Sequence, residues 1–230
     1  HTRLQGDWSS DVCSSDLIYG CKSMFPVRRI YCVGRNYLEH IREMDGNERE
    51  PPFFFLKPSD TIIQNECDFK YPPMSNNVHH EIELVVAIDK KVKNISASNA
   101  LDCVFGYGVG IDMTRRDLQS TAKKMRRPWS LGKSFDQSAP CSPIRTVLDS
   151  GHPSKGRIWL AINGEIRQDG DLSHQIWNVS ESIAYLSNFF EIFPGDLIFT
   201  GTPAGVGPVE VGDEITGGIE NVGELKLTVR

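Results

Sequence analysis

Residues 79–88, His-His-Glu-Ile-Glu-Leu-Val-Val-Ala-Ile, place two carboxylates at the start of an apolar, β-branched run. The run predicts a strand, and alternation of side chains puts Glu81 and Glu83 on one face, about 6.5–7 Å apart. One hard cation could bridge two carboxylates at that separation. The same pattern also fits an edge strand whose acids face solvent while the intervening aliphatic residues face the core. The spacing alone leaves both interpretations open.

The whole chain has the composition of one large globular domain. It has 230 residues, of which 39% are hydrophobic and 24% charged, and its formal net charge is -5. This balance argues against general nucleic-acid binding, because no basic face dominates, and it favours a small-molecule partner. No apolar run approaches the roughly 18–20 residues that span a bilayer, so we expect no membrane contact.

The cysteines indicate a reducing compartment. The six of them are scattered without any C-x-x-C pair. Such a pattern is typical of reduced, mostly buried thiols and argues against a zinc site. We therefore expect a cytoplasmic protein.

Residues 1–22 differ from the rest of the chain. They are rich in Ser and Asp, lack strand or helix periodicity and do not begin with methionine. The string from Asp7 to Leu17 resembles a translated sequencing adapter, so we expect a non-native or disordered leader and a native start near Met24. The predicted organisation is this leader followed by a single domain at 23–230.

A second candidate site lies on a helix predicted after the strand at 29–34. His40 and Glu43 are three residues apart, so they share a helical face on which the carboxylate could orient the imidazole as a base. A solvated pair on an exposed helix is the commoner explanation of this spacing. The stretch at 45–52 is polar and ends in two prolines, which indicates a mobile loop able to close over a site.

A third carboxylate, Asp112, closes the glycine-rich strand predicted at 104–113. There it is either a helix N-cap or a metal ligand, and the local sequence does not separate the two. The glycines lack the G-x-G-x-x-G spacing of a dinucleotide loop. On the helix predicted at 114–127, Arg116 and Gln119 lie one turn apart and could position an anion, although a solvated face is the simpler explanation.

The C-terminal half is predicted to be scaffold with one candidate loop. Asn163-Gly164 predicts a tight hairpin, and a helix is predicted at 180–190 with Ser180 as its cap. The glycine-rich loop at 201–207 could present backbone N–H groups and a hydroxyl to a carboxylate, although a plain turn is commoner.

Six ordered motifs extend from about residue 30 to the C-terminus. The motifs are VGRNYLEHIREM (33–44), FFFLKPSD (53–60), HHEIELVVAI (79–88), GYGVGIDMTRRDLQ (106–119), LGKSFD (131–136) and TGTPAGVGP (200–208). Together they resemble the fumarylacetoacetate hydrolase family, most closely its small acylpyruvase and oxaloacetate-decarboxylase-like members.

The resemblance implies a mixed α/β, β-rich fold, a roll like the C-terminal domain of fumarylacetoacetate hydrolase with a few peripheral helices, and usually a homodimer. By position, Glu81, Glu83 and Asp112 match the family's metal-binding carboxylates, which hold Mg²⁺ or Mn²⁺. His40 and Glu43 match its water-activating dyad on a lid that orders when substrate binds.

The resemblance also implies substrate contacts. Lys133 matches the family's substrate-side lysine, and Thr202 lies on the loop that receives the substrate carboxylate. Arg35, Arg116 and Gln119 fall inside matching motifs and are expected to contact substrate or support the lid.

The implied activity is metal-dependent hydrolysis of a C–C bond in acylpyruvates or related 1,3-dicarbonyl 2-oxo acids. The metal ion would take up the charge that develops during cleavage. One alternative is oxaloacetate decarboxylation or tautomerisation, or isomerisation of the 2-hydroxyhepta-2,4-diene-1,7-dioate type, which need the same ion but no attacking water. A non-catalytic protein that binds 2-oxo acids or metal is the remote alternative.

Overall fold

The structure is a computed structural model and describes residues 15–20, 22–37 and 50–230. The predicted dyad of His40 and Glu43 lies outside the described residues, as does most of the predicted leader. Within the leader, the backbone of Ser15–Leu17 pairs antiparallel with Met24–Pro26. That pairing does not test whether the leader is native, which stays a prediction.

Strands are the commonest regular secondary structure in the described chain. They are β1 (Ser15–Leu17), β2 (Met24–Pro26), β3 (Arg29–Gly34), β4 (Phe53–Lys57), β5 (Ile62–Gln64), β6 (Asp68–Phe69), β7 (Val78–His80), β8 (Ile82–Ile88), β9 (Val104–Ile111), β10 (Thr114–Arg115), β11 (Ala139–Cys141), β12 (Arg145–Thr146), β13 (Arg157–Ile162), β14 (Glu165–Asp171), β15 (Asp196–Phe199), β16 (Gly207–Pro208), β17 (Glu214–Ile219) and β18 (Gly223–Val229).

The helices are few and short. Those among the described residues are α1 (Arg116–Lys124), α2 (Ser130–Lys133), α3 (Val147–Ser150) and α4 (Val179–Phe189), with 3-10 helices at Ser59–Thr61, Ala100–Cys103 and Leu172–His174. The predicted β-rich, mixed α/β class with a few peripheral helices is confirmed.

Two sheets form the body of the fold. An eight-stranded sheet has the order β4-β3-β15-β8-β9-β11-β5, with β12 also paired to β9, and a five-stranded sheet has the order β14-β13-β17-β18-β6. Strand β8 lies between β15 and β9, so the strand that carries Glu83 is not an edge. The interpretation of the acidic run as a solvent-facing edge is therefore wrong.

Both faces of β8 are buried. On one face Leu84 belongs to a core shared with Leu160 of the five-stranded sheet. On the other face Val85 packs with Phe199 in a second core. Each fully buried aliphatic side chain stabilises the fold by about 1.5–3 kcal/mol. Glu83 lies on the Val85 face because their side chains are two residues apart, and it is therefore a carboxylate within the protein interior.

The candidate site forms where β8 begins and β9 ends. These strands are antiparallel, with Ile82 opposite Ile111, and the Asp112 N–H donates to the Glu81 carbonyl oxygen at 2.8 Å. This register brings Asp112 beside Glu81 although 31 positions separate them along the chain. Strands β3 and β15 are parallel and also end at this side of the sheet.

A three-stranded sheet, β10-β7-β16, closes this end. Strand β7 leads into Glu81, β10 leads into Arg116, and the loop at 201–206 leads into β16. Glu81 lies between β7 and β8 instead of inside one continuous strand, because the chain pairs with the small sheet up to His80 and with the large sheet from Ile82. The small sheet therefore holds three segments of the site together.

Local signals identified the scaffold well. The Asn163-Gly164 hairpin between β13 and β14 is confirmed, with φ of 52° and 81° at its two turn residues. The helix predicted at 180–190 is observed as α4. Its N-cap is Asn178 instead of Ser180, because Asn178 and Glu181 form a reciprocal capping box.

The helix predicted at 114–127 is shorter in the structure. Thr114 and Arg115 pair with β7, so α1 starts only at Arg116. Among the described residues, no helix has the length and apolar character needed to cross a membrane.

Candidate metal centre

Three carboxylates converge at the end of the large sheet. Glu81, Glu83 and Asp112 each offer an oxygen atom, and these atoms all lie within 4.8 Å of one another. All three residues are buried. In the described part of the chain, they form the only group of three or more side chains able to share a metal ion. Oxygen-only ligands suit hard divalent cations such as Mg²⁺ and Mn²⁺.

Three cationic side chains face these carboxylates. Lys133, the last residue of α2, donates from Nζ to Glu81 Oε2 at 2.8 Å and to Asp112 Oδ2 at 2.6 Å. Arg116 forms a hydrogen-bonded ion pair with the other oxygen of Glu81. Lys57 Nζ lies 2.8 Å from Asp112 Oδ1, an ion pair without hydrogen-bond geometry. The carboxylate cluster is therefore matched by buried positive charge.

Glu81 and Glu83 differ strongly in their protonation equilibria. Burial acts to raise the pKa of Glu81, but the charges of Lys133 and Arg116 outweigh it and hold that pKa well below its usual value. The pKa of Glu83 lies well above its usual value, because of burial and then the two neighbouring carboxylates. The Gly201 N–H donates to Glu83 Oε2 at 2.6 Å and offsets this only in part. A divalent cation would supply the positive charge that Glu83 lacks, so the residues fit a metal ion.

Lys133 is held rigidly by three acceptors. Besides the two carboxylates, its Nζ donates to Thr114 Oγ1 at 2.7 Å, which uses all three ammonium protons. Burial acts to lower the pKa of Lys133, but Asp112 and Glu81 outweigh it, so the pKa is raised and the side chain stays charged. Both its charge and its position beside the carboxylates are therefore determined by the fold.

Lys57 is a site residue that the sequence pattern did not reveal as one. It ends the apolar run of β4 and is 1% exposed. Its Nζ donates to the carbonyl oxygens of Met113, at 3.3 Å, and Lys133. Lys57 thus connects the strand end that carries Asp112 to the helix end that carries Lys133. The only signal for it was a lysine closing an otherwise apolar strand.

Replacing Lys57 by Met is expected to lower the free energy of unfolding by about 3 kcal/mol, because Asp112 would keep a buried charge with one partner fewer. Urea denaturation followed by circular dichroism measures this. The matched control is Lys91→Met, which removes an exposed ion pair with Glu191 and should change stability by less than about 0.5 kcal/mol. Equal effects of the two substitutions would show that the Lys57 contacts do not stabilise the site.

Arg116 is positioned by neighbours on two elements. Its Nε donates to His79 Nδ1 at 3.3 Å, and one terminal nitrogen donates to Gln119 Oε1 at 2.7 Å. Because the guanidinium only donates, His79 Nδ1 must accept, and His79 Nε2 then donates to Asn77 Oδ1 at 2.8 Å. Burial and then Arg116 lower the pKa of His79 to about 4, so the imidazole is neutral at physiological pH. These contacts aim the guanidinium at Glu81.

Thr202 is oriented by a second residue that the sequence analysis did not select. Gln168 Oε1 accepts from the Ile82 N–H at 3.1 Å, and Gln168 Nε2 donates to the Pro203 carbonyl at 2.9 Å. These two backbone partners determine the orientation of the amide, so Nε2 also donates to Thr202 Oγ1 at 2.8 Å. The Thr202 hydroxyl therefore accepts from Gln168, and its own proton is available to a ligand.

The three carboxylates, Lys133, Arg116 and Thr202 line a small cavity of about 40 Å³. The structure brings together every site residue of the sequence analysis that it describes. Around the cavity lie Glu81, Glu83, Asp112, Lys133, Thr202, Arg35, Arg116 and Gln119, and its wall also includes Lys123, Trp129, Phe53 and Phe55. Only His40 and Glu43 are not placed, because they lie outside the described residues.

A family model described as fumarylacetoacetate (FAA) hydrolase C-terminal matches residues 29–230. The chain belongs to the fumarylacetoacetate hydrolase family. The fumarylpyruvate hydrolase of Pseudomonas aeruginosa, crystallised with Mn²⁺ and pyruvate, is a family structure 48% identical to this chain. The similarity covers 97% of this chain and 98% of that one, with a TM-score of 0.93.

Other relatives with this fumarylacetoacetate hydrolase fold carry different names. The mitochondrial oxaloacetate tautomerase FAHD1 of Bos taurus is 41% identical over 202 residues, which cover 88% of this chain and 91% of that protein. The structure of 2-hydroxyhepta-2,4-diene-1,7-dioate isomerase from Mycobacterium marinum is 33% identical, with a TM-score of 0.79, covering 88% of this chain and 74% of that one. Because the tautomerase is named as mitochondrial, the cytoplasmic location expected for this chain stays a prediction.

Proposed function

We propose that this protein is a divalent-metal-dependent hydrolase that cleaves a C–C bond in acylpyruvates, of the fumarylpyruvate hydrolase type. The observation that carries this proposal is the buried cluster of Glu81, Glu83 and Asp112 at the base of a cavity lined by cations. The likeness to a fumarylpyruvate hydrolase crystallised with Mn²⁺ and pyruvate supports both the metal and the substrate class.

The charges around the cavity favour an anionic substrate. Three carboxylates and three cationic side chains balance one another when all are ionised. A bound Mg²⁺ or Mn²⁺ would then leave an excess of positive charge in a site screened from water. A 2-oxo acid would neutralise this excess positive charge. Its carboxylate is negative, and further negative charge develops on a carbonyl oxygen as the C–C bond breaks.

Each part of the site has a role in the proposed hydrolysis. A divalent ion held by the three carboxylates would supply an electron sink for the charge that develops on the substrate's carbonyl oxygens. His40, oriented by Glu43, removes a proton from water as the water oxygen attacks the acyl carbonyl carbon. The C–C bond to the pyruvate unit then breaks, and the proton held by His40 is available to the departing carbon.

Residues of the described site bind and orient the substrate. Thr202 donates its hydroxyl proton to the substrate carboxylate, and Lys133 places a fixed positive charge beside it. Arg116 and Gln119 also line the cavity, joined by a hydrogen bond of 2.7 Å. None of these contacts requires an attacking water. The same pocket therefore also suits the alternative activities, which are oxaloacetate tautomerisation or decarboxylation and dienedioate isomerisation. The names of the bovine and Mycobacterium marinum relatives favour keeping this alternative.

A metal-dependence assay tests the proposal directly. Acetylpyruvate and fumarylpyruvate cleavage are measured with Mg²⁺ or Mn²⁺, and again after treatment with a chelator. We expect cleavage that disappears on chelation and returns with the added ion. Activity insensitive to the chelator would overturn the role of the metal, and tautomerisation of oxaloacetate without acylpyruvate cleavage would favour the alternative.

Replacing Gln168 by Glu is expected to weaken the binding of pyruvate about tenfold. A glutamate at this position accepts the Thr202 proton, so the hydroxyl no longer donates to the ligand. Titration calorimetry with the Mn²⁺-loaded protein measures the loss. The matched control is Gln175→Glu, since Gln175 Nε2 donates at 2.9 Å to the hydroxyl of Thr200, which does not line the cavity. An equal loss in both variants would contradict the proposed role of Thr202.

We further propose that the protein works as a homodimer in the cytoplasm. The resemblance to the family supports the first statement, and the absence of any C-x-x-C pair in the sequence supports the second. Light scattering coupled to size-exclusion chromatography tests the dimer, which a monomeric mass would contradict.

A further inference from the structure

Two of the cations that line the metal cavity, Arg35 and Lys123, have no carboxylate partner among the described residues. Arg116 and Lys133 are both paired with Glu81. In contrast, the described chain places no carboxylate within ion-pair distance of Arg35 or Lys123, although both side chains line the same cavity. The carboxylate cluster therefore does not account for all the positive charge around the cavity.

The surroundings of Lys123 disfavour its positive charge. It is half-buried in the last turn of α1, and its Nζ lies 5.0 Å from the centre of the Trp129 ring, another part of the cavity wall. Burial, and then the charges of Arg116 and Arg35, lower its pKa. Its neighbour Lys124 occupies the same helix turn, which favours positive charge, but is exposed. The helix end alone therefore does not explain why Lys123 faces the cavity.

Arg35 is presented to the cavity by a strained backbone. Its φ is 56°, in the left-handed region that costs a non-glycine residue about 1 kcal/mol. The next residue, Asn36, is buried and holds the chain in place, since Nδ2 donates to the carbonyls of Trp177 and Thr200 at 2.8 and 2.7 Å. Asn36 Oδ1 accepts from the Trp177 N–H at 2.8 Å. The fold thus retains a strained conformation that positions a long cationic side chain at the site.

We propose that Arg35 and Lys123 form a second anion subsite, which binds a carboxylate at the far end of the substrate's acyl chain. This proposal rests on the proposed function, in which the first carboxylate lies at Thr202. The preferred substrates are then dicarboxylic 2-oxo acids, and monocarboxylic acylpyruvates of the same length bind less tightly. A carboxylate in the subsite supplies the charge partner that both cations lack within the described chain, and its ion pairs are partly shielded from water.

The test compares two ligands of equal chain length. Titration calorimetry with the Mn²⁺-loaded protein gives the Kd of 2-oxopimelate, which carries a distal carboxylate, and of 2-oxoheptanoate, which does not. We expect 2-oxopimelate to bind about tenfold more tightly or better. In Lys123→Met we expect this ratio to fall to within about twofold, because only the dicarboxylate loses an ion pair.

The matched control is Lys124→Met, which removes the same charge one residue away but outside the cavity. This variant should keep the wild-type ratio of the two Kd values. Arg35→Met should lower the ratio as Lys123→Met does. A ratio unchanged in both cavity variants, or lowered equally by Lys124→Met, would overturn the subsite.

The two proposals fail in distinguishable ways. If the wild-type protein cleaves no acylpyruvate but retains the ligand ratio and its dependence on Lys123, the hydrolase activity is wrong and the subsite stands. If it cleaves acetylpyruvate and fumarylpyruvate with equal kcat/KM, and Lys123→Met changes neither, the hydrolase stands and the subsite is wrong.

Discussion

Glu83→Gln is expected to abolish tight binding of Mg²⁺ and Mn²⁺ and to lower acylpyruvate cleavage by more than about 100-fold. The amide keeps the size of the glutamate and can still accept from the Gly201 N–H, but it removes one of the three negative charges that a divalent cation requires. Titration calorimetry with Mn²⁺ and the fumarylpyruvate assay measure the two losses. Retained Mn²⁺ affinity would show that Glu83 is not a ligand.

The same substitution should not destabilise the metal-free protein. Because burial raises the pKa of Glu83 in the folded state, its ionisation costs stability as pH rises from the unfolded value, about 4.3, through the raised folded value. Gln removes that cost. In EDTA, Glu83→Gln should therefore unfold at the same or a higher temperature than the wild type, with a difference that grows as pH rises.

Thermal unfolding in EDTA over a series of pH values measures this difference. Glu224→Gln, at an exposed position, is the matched control and should follow the wild-type curve. A Glu83→Gln protein that unfolds at lower temperature at every pH would contradict the assignment of a buried carboxyl group with a raised pKa.

His40→Ala is expected to lower acylpyruvate hydrolysis by about 10²–10⁴-fold, the usual contribution of a general base. Decarboxylation of oxaloacetate should fall far less, because it needs the same electron sink but no attacking water. Glu43→Gln should lie between the wild type and His40→Ala, since it alters the orientation of the base without removing it. Steady-state assays with both substrates measure the loss of hydrolysis and the loss of decarboxylation in each variant.

His152→Ala is the control for loss of an imidazole. Its Nδ1 lies 2.7 Å from the Tyr107 hydroxyl, and it does not line the metal cavity. We expect both activities to remain near wild type in this variant. Equal losses of hydrolysis and decarboxylation in His40→Ala would argue that His40 supports the fold or the substrate instead of activating water.

Patterns within short stretches of the sequence predicted much of the scaffold. The Asn163-Gly164 turn needs two residues that tolerate positive φ, and that requirement is visible in the sequence itself. Helix ends were less predictable, because competing strand pairing of Thr114 and Arg115 removed the first two residues of the helix predicted there. The N-cap is Asn178 instead of Ser180 for a different, local reason, since Asn178 and Glu181 form a capping box within the sequence itself.

Two site residues without a distinctive local sequence signal, Lys57 and Gln168, act through long-range contacts. Lys57 meets the carbonyl of Met113, and Gln168 joins the Ile82 N–H to the loop of Thr202. A lysine after an apolar strand and a glutamine on a hairpin strand carry no distinctive local pattern. Tertiary structure brings them to the site, Lys57 from a strand of the eight-stranded sheet and Gln168 from a strand of the five-stranded sheet.

The sequence by itself determined the residue types at the site and their order, and the six motifs were enough to identify the family. Spacing placed Glu81 and Glu83 together, but it left open whether they faced solvent or a metal ion. The tertiary structure decided that question, because β8 is buried on both faces and its register with β9 adds Asp112 to the pair. It also made the two glutamates unequal. Cations surround Glu81 and not Glu83, and a pKa depends on the charges that lie near in space instead of near in sequence.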